Sequence, residues 1–175
     1  MRAVFDTNIY ISALAIPGGA AERAMRLAIN GTFELALSRA ILDEILEVLS
    51  RKFARDAEEL ARTAIFLSSF AVYVASTERI RVFADEPDNR ILECALAAAA
   101  DVIVTGDEEI LALGTWQGIE IVSLRRFLER LDNGVRESRA AYAVQAPAPQ
   151  LSSHELAFLG KLLKKRPRHF PSILS

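Results

Sequence analysis

At 175 residues, with 51% hydrophobic and 25% charged, the chain has the make-up of a folded globular protein and the length of one domain plus an extension. A single cysteine, Cys94, excludes a disulfide framework and a thiolate zinc cluster. The net charge of -2 hides an asymmetry: residues 1–133 carry 14 Lys/Arg against 21 Asp/Glu, whereas residues 134–175 carry 7 against 2, an acidic body with a basic tail.

Apolar runs alternate with segments of helical period, the signature of βα units around a parallel sheet. The first strand is expected over 2–6, where Ala3-Val4-Phe5 runs into Asp6-Thr7-Asn8. Pro17-Gly18-Gly19 marks a loop before a helix over 19–30, which Gly31 stops. The pattern then predicts strand 33–37, helices 39–53 and 56–69, strand 70–75, helix 88–100, strand 101–105, helix 107–113, strand 119–123 and helix 124–131. No internal repeat is visible. The expected domain covers 1–133. Beyond Asn133-Gly134, an Ala/Pro/Gln-rich linker over 140–150 leads to a capped helix over 153–165 ending in Lys161, Lys164, Lys165 and Arg166. That basic end suits a helix dipole as well as it suits an RNA-binding arm. No apolar run reaches the roughly 18 residues of a membrane span, and the N-terminus has no apolar leader, so a cytoplasmic protein is expected.

Several acids can reach one sheet edge. Asp6 follows one buried strand, and Asp107 follows another, Val102-Ile103-Val104-Thr105. Parallel strands present their carboxyl ends to the same side, where open α/β sheets place their ligand crevices. In helix 88–100, Asp88 heads the apolar stripe of Ile91, Leu92, Ala95, Leu96 and Ala99, while Glu93 falls on the opposite side. As isolated residues, Asp88 and Asp107 also read as plain helix N-caps. In helix 39–53, Glu47 points away from the apolar face, and Asp43 and Glu44 lie on its two borders; geometry leaves that pair open. Clustered carboxylates repel one another, and a hard divalent cation such as Mg²⁺ or Mn²⁺ offsets the repulsion. This chemistry serves phosphodiester hydrolysis better than redox reactions.

The four stretches Val4-Phe5-Asp6-Thr7-Asn8, Ser38 to Glu44, Ala84-Asp85-Glu86-Pro87-Asp88-Asn89 and Val104-Thr105-Gly106-Asp107 together resemble the PIN-domain ribonucleases, and among them the toxins of VapBC-like pairs. The resemblance covers about 2–131. It implies a PIN-like three-layer α/β/α sandwich around a parallel sheet, with a C-terminal helical extension outside it. It also implies Mg²⁺ or Mn²⁺, endonucleolytic cleavage of RNA, a homodimer and an antitoxin protein as partner. The family's metal-binding, catalytic acids fall on Asp6, Glu44, Asp88 and Asp107, with Asn8 and Thr105 as polar supports. Choosing Glu44 over Asp43 comes from the resemblance, and Asp85 stands where it could share the role of Asp88.

Three rival readings exist. A phosphatase of the haloacid-dehalogenase type also opens on a strand and an aspartate, but needs a second aspartate where this chain has Asn8. A histidine-based ribonuclease would have to use His154 and His169, both in the extension. A non-catalytic PIN-like module binding RNA or protein would have no use for four retained acids. Cys94 and Trp116 read as packing residues. Arg23, Arg26, Arg51 and Lys52 are candidates for guiding RNA to an acidic body.

Overall fold

The computed structural model describes residues 1–141, with side chains through Asn133. Residues 142–150 of the expected linker, the helix over 153–165 and both histidines lie outside the described residues.

The strands are β1 (Arg2–Phe5), β2 (Glu34–Ser38), β3 (Val72–Val74), β4 (Val102–Thr105), β5 (Thr115–Trp116) and β6 (Ile119–Ser123). The helices are α1 (Thr7–Ala15), α2 (Ala20–Ile29), α3 (Arg39–Phe53), α4 (Ala57–Phe70), α5 (Glu86–Ala97), α6 (Glu108–Ala112) and α7 (Leu124–Ala141). One sheet holds all six strands in the order β3-β2-β1-β4-β6-β5, parallel except for β5. The chain steps outward from β1 through β2 to β3, then returns to place β4 on the other side of β1. With right-handed crossovers, that reversal puts helices on both faces of the sheet. β1 and β4 are therefore central, and their side chains are fully buried apart from Arg2.

On one face Phe5 of β1 meets Tyr10 of α1, Phe33 and Phe127 of α7. The Phe127 ring stands edge-on to Phe5 at 5.7 Å and to Phe33 at 5.0 Å. α5 packs over β1, β2 and β4. No described helix is long and apolar enough to cross a membrane.

Three elements differ from the sequence expectation. Helix α1 is absent from that expectation, because Asn8-Ile9-Tyr10-Ile11-Ser12 shows no clean helical stripe; buried Ile9, Tyr10, Ala13 and Leu14 leave little polar face. The sheet is not purely parallel, since β5 folds back on β6. Gln117 (φ 48°) and Gly118 (φ 83°) both take positive φ, as a two-residue primed hairpin turn requires. Helix α7 continues to Ala141, past the expected stop at 131. One interior Gly134 costs only about 1 kcal/mol of helix propensity, which good helix formers on both sides can carry.

Candidate active site

The sheet order reverses between β1 and β4, and the crevice outside the carboxyl ends of two such strands is the expected ligand position. Asp6 is the first residue past β1. Its backbone N–H extends the ladder to the carbonyl of Val104 at 2.9 Å, and its Oδ1 accepts the Asn8 N–H at 3.1 Å, capping α1. Thr105, the last residue of β4, donates its hydroxyl to Asp6 Oδ2 at 2.7 Å and accepts the Asp107 N–H at 2.9 Å. One buried hydroxyl thus ties the two strand-end acids together. Asp107 also caps α6, its Oδ1 accepting from Glu109 and Ile110. Capping is only part of its capacity, for Oδ2 has no partner among the described residues.

Burial raises the pKa of Asp6, whose residue is only 5% exposed. The Thr105 and Asn8 hydrogen bonds pull it down, and repulsion from Asp107 adds to the rise.

The structure separates Asp43 from Glu44. Asp43 lies outward, in an ion pair with Arg39 at 2.8 Å. Glu44 turns inward and accepts the Thr7 hydroxyl on Oε2 at 2.9 Å. Desolvation raises its pKa, the Thr7 bond lowers it, and the negative charges of Asp6, Asp85 and Glu47 raise it further. Sequence alone gives Thr7 no role. The available signal is its place one residue beyond Asp6, where a side chain leaving the first turn of α1 faces another element.

Asp88 belongs to the first turn of α5, not to its cap. Helix α5 begins at Glu86 with Asp85 in the capping position, and Asp85 makes no side-chain cap bond. The Asp88 carboxylate has no hydrogen-bond or ion-pair partner among the described residues. Desolvation, followed by repulsion from Asp107, Asp85, Asp6 and Glu109, raises its pKa to about 6. The same four charges make Asp88 a member of this acidic group. The strap over 75–85 leading into α5 is fixed by Asn89, whose Oδ1 accepts from Val82 and Phe83 while Nδ2 donates to the carbonyls of Phe83 and Asp85. Every hydrogen-bonding position of that buried amide is used. Glu93, on the side opposite the apolar stripe, is nevertheless buried, accepting the Ile80 N–H and pairing with Arg90 and Arg79. The strap supplies a polar cover that periodicity along one helix cannot reveal.

A raised pKa at Asp88 has a measurable cost. Its folded carboxyl titrates near 6 against an ordinary 3.8, so the folded chain binds more protons between those values. The stabilisation is full below about 3.8 and is lost as pH rises through about 6. An asparagine in place of Asp88 removes this penalty. In chelator, Asp88→Asn is expected to raise the thermal midpoint above wild type at pH 8, with the gain shrinking towards pH 4. Calorimetry at the two pH values checks it; a gain equal at both would remove the desolvation and repulsion of an ionised Asp88 as its cause.

The donors in this crevice are all oxygens, which suits a hard divalent cation and not a thiol-loving one. Asp107 Oδ2, Glu44 Oε1 and both Asp88 oxygens carry no protein hydrogen bond among the described residues. Among the described residues, no three acids, histidines or cysteines stand together closely enough to hold a metal ion by themselves. What fits a cation here is the donor chemistry: unengaged carboxylate oxygens suit a hydrated Mg²⁺, to which one or two carboxylates would bind directly while waters complete the shell. Cys94 takes no part: it is buried, and burial pushes its thiol up to about 12, where it is inert. Trp116 is half-buried against the core, as expected of a packing residue. Of the basic candidates, Arg23 pairs with Asp132, Arg26 with Glu22 and Arg51 with Glu47, which leaves Lys52 without an acid partner among the described residues.

A mostly parallel α/β sheet with a carboxylate group at its β1/β4 switch point defines a protein of the acidic-site α/β class. The chain belongs to the PIN domain family, whose model matches residues 2–109, a stretch that contains Asp6, Glu44, Asp88 and Asp107. An uncharacterized protein of Methanocaldococcus jannaschii is 29% identical over 117 residues, covering 65% of this chain and 75% of that protein. Among solved structures, a chain of VapBC2 from Rickettsia felis, crystallised bound to a DNA fragment from their promoter, superposes with a TM-score of 0.52. It is 17% identical and covers 70% of this chain and 98% of its own, a likeness of fold.

Proposed function

We propose that this protein is a metal-dependent endoribonuclease that hydrolyses RNA phosphodiester bonds, acting as the toxin of a toxin–antitoxin pair. The observation that carries the reading is the Thr105 bridge, which fixes Asp6 and Asp107 at the β1/β4 switch point with Asp88 and Glu44 close enough to be felt electrostatically. In this reading Asp6, Glu44, Asp88 and Asp107 would hold Mg²⁺ or Mn²⁺, while Asn8 and Thr105 orient Asp6. A bound divalent cation supplies charge neutralisation at the phosphodiester and a more acidic water for in-line attack. The protein's own part is to bury Asp6, keep Asp107 and Asp6 at a fixed separation, and present unengaged carboxylate oxygens to the crevice.

The fold likeness to a VapBC2 chain supports an antitoxin protein as partner, and a homodimer is the assembly that the family resemblance implies. RNA must approach an acidic body, so Lys52 and the basic segment beyond 134 are the groups to carry phosphate contacts. Retained acids with unengaged oxygens favour catalysis over a binding-only module.

The test is cleavage of a panel of RNAs by purified protein with Mg²⁺ or Mn²⁺ and with excess chelator. Cleavage is expected only with the cation, and is expected to weaken as salt rises. Undiminished cleavage in chelator would overturn the metal mechanism. Inactivity across the panel, joined to absence of Mn²⁺ binding, would leave the binding module as the better reading.

A further inference from the structure

We infer that the Thr7 hydroxyl is a positioning group for Glu44, holding that carboxylate in the crevice with one oxygen left to bind a cation. This rests on the nuclease reading above and adds a residue to it.

The geometry is direct. Thr7 is the first residue of α1 and is only 3% exposed. A threonine deeper in a helix commonly returns its hydroxyl to a carbonyl of the preceding turn. At the first position no preceding turn exists, so the hydroxyl is free to cross to another element. It crosses to α3, donating to Glu44 Oε2 at 2.9 Å. That is the hydrogen bond the Glu44 side chain makes among the described residues, and it engages one oxygen only.

Glu44 needs a tether. Repulsion from Asp6 and Asp85 pushes its charge away from the crevice, and Glu44 is only half-buried, so solvent is open to it. Its neighbour Asp43 shows the alternative, turning outward to Arg39. A long glutamate side chain loses much rotamer freedom when held in one conformation, so an untethered Glu44 would spread into solvent. Thr7 is suited to the task because its branched Cβ restricts χ1. Since Thr7 follows Asp6 in the chain, one short stretch at the end of β1 sets two acids: Asp6 itself, and Glu44 through the hydroxyl. The sequence pair Asp6-Thr7 therefore couples β1 to α3 at the crevice.

Mn²⁺ affinity, read from free Mn²⁺ by electron paramagnetic resonance, and RNA cleavage against Mn²⁺ concentration test this in four proteins: wild type, Thr7→Ser, Thr7→Val and Glu44→Gln. Thr7→Val keeps the shape and removes the donor; a loss of about 10–100-fold in Mn²⁺ affinity is expected, with the cation needed for half-maximal cleavage rising in parallel. Thr7→Ser keeps the donor and is expected to stay near wild type. Circular dichroism confirms that the variants fold. If Thr7→Val matches wild type while Glu44→Gln is impaired, or if Thr7→Ser is as damaged as Thr7→Val, the positioning role is overturned and the nuclease reading stands. If wild type neither binds Mn²⁺ nor cleaves RNA, the nuclease reading falls and takes this inference with it.

Discussion

Asp6→Asn is expected to lower single-turnover RNA cleavage by about 10²–10⁴-fold while leaving the fold intact. The size follows from losing a carboxylate that neutralises charge at the reacting phosphate, on the order of 3–5 kcal/mol of barrier. The separation of activity from stability follows from the local hydrogen bonds. Asp6 accepts from the Asn8 N–H on one oxygen and from the Thr105 hydroxyl on the other. An asparagine keeps the first as acceptor, and its NH₂ can donate to Thr105 once that hydroxyl rotates. Burial already works against the charged form of Asp6, so a neutral side chain is no worse accommodated. The thermal midpoint of Asp6→Asn at pH 7 should therefore equal or exceed that of wild type. Cleavage at the wild-type rate by a folded Asp6→Asn would remove Asp6 from the site and the proposed mechanism with it. A large drop in midpoint would make Asp6 a structural cap whose loss unfolds α1.

The opening strand and its acid are readable because two independent patterns agree there. Ala3-Val4-Phe5 is apolar without alternation, as a strand covered on both faces must be, and the following acid breaks that run at the sheet edge. The same pattern at Val102 to Asp107 locates the second strand end. The pairing of β1 with β4 then places Thr105 between the two acids. The choice between Asp43 and Glu44 is not readable from a helical wheel. Both flank the buried stripe by similar angles, and the deciding partners, Arg39 and Thr7, lie one on the same helix and one on another element. Glu93 misleads for a related reason. Periodicity describes a helix against one packed face, but α5 is covered a second time by the strap over 75–85, which makes an outward position an inward one. Helix α1 escapes notice because it is buried on too many sides to show a stripe. In each case the missing information is a contact between distant segments, which no local pattern carries.

Phe127→Ala should be among the most destabilising single changes in the domain, costing about 3–5 kcal/mol of the roughly 5–15 kcal/mol that a domain of this kind has. Phe127 is fully buried and stands edge-on to Phe5 at 5.7 Å and to Phe33 at 5.0 Å. Truncation removes a whole ring and two aromatic contacts, and the surrounding strands cannot close on the space without bending the central sheet. Phe127 lies on α7, beyond the 2–109 stretch that the family model matches, yet its ring rests on the residue directly before Asp6. The helix is thus part of the floor beneath the candidate site, not an appendage to it. Urea unfolding checks the size, and Phe127→Leu, which refills most of the volume, should recover more than half of the loss. The link to function has its own readout. At a temperature where Phe127→Ala is still folded, its Mn²⁺ affinity should fall below that of wild type, because a strand end that can shift no longer holds Asp6 against Thr105. Unchanged Mn²⁺ affinity in a folded but weakened Phe127→Ala would show that α7 stabilises the domain without setting the position of Asp6.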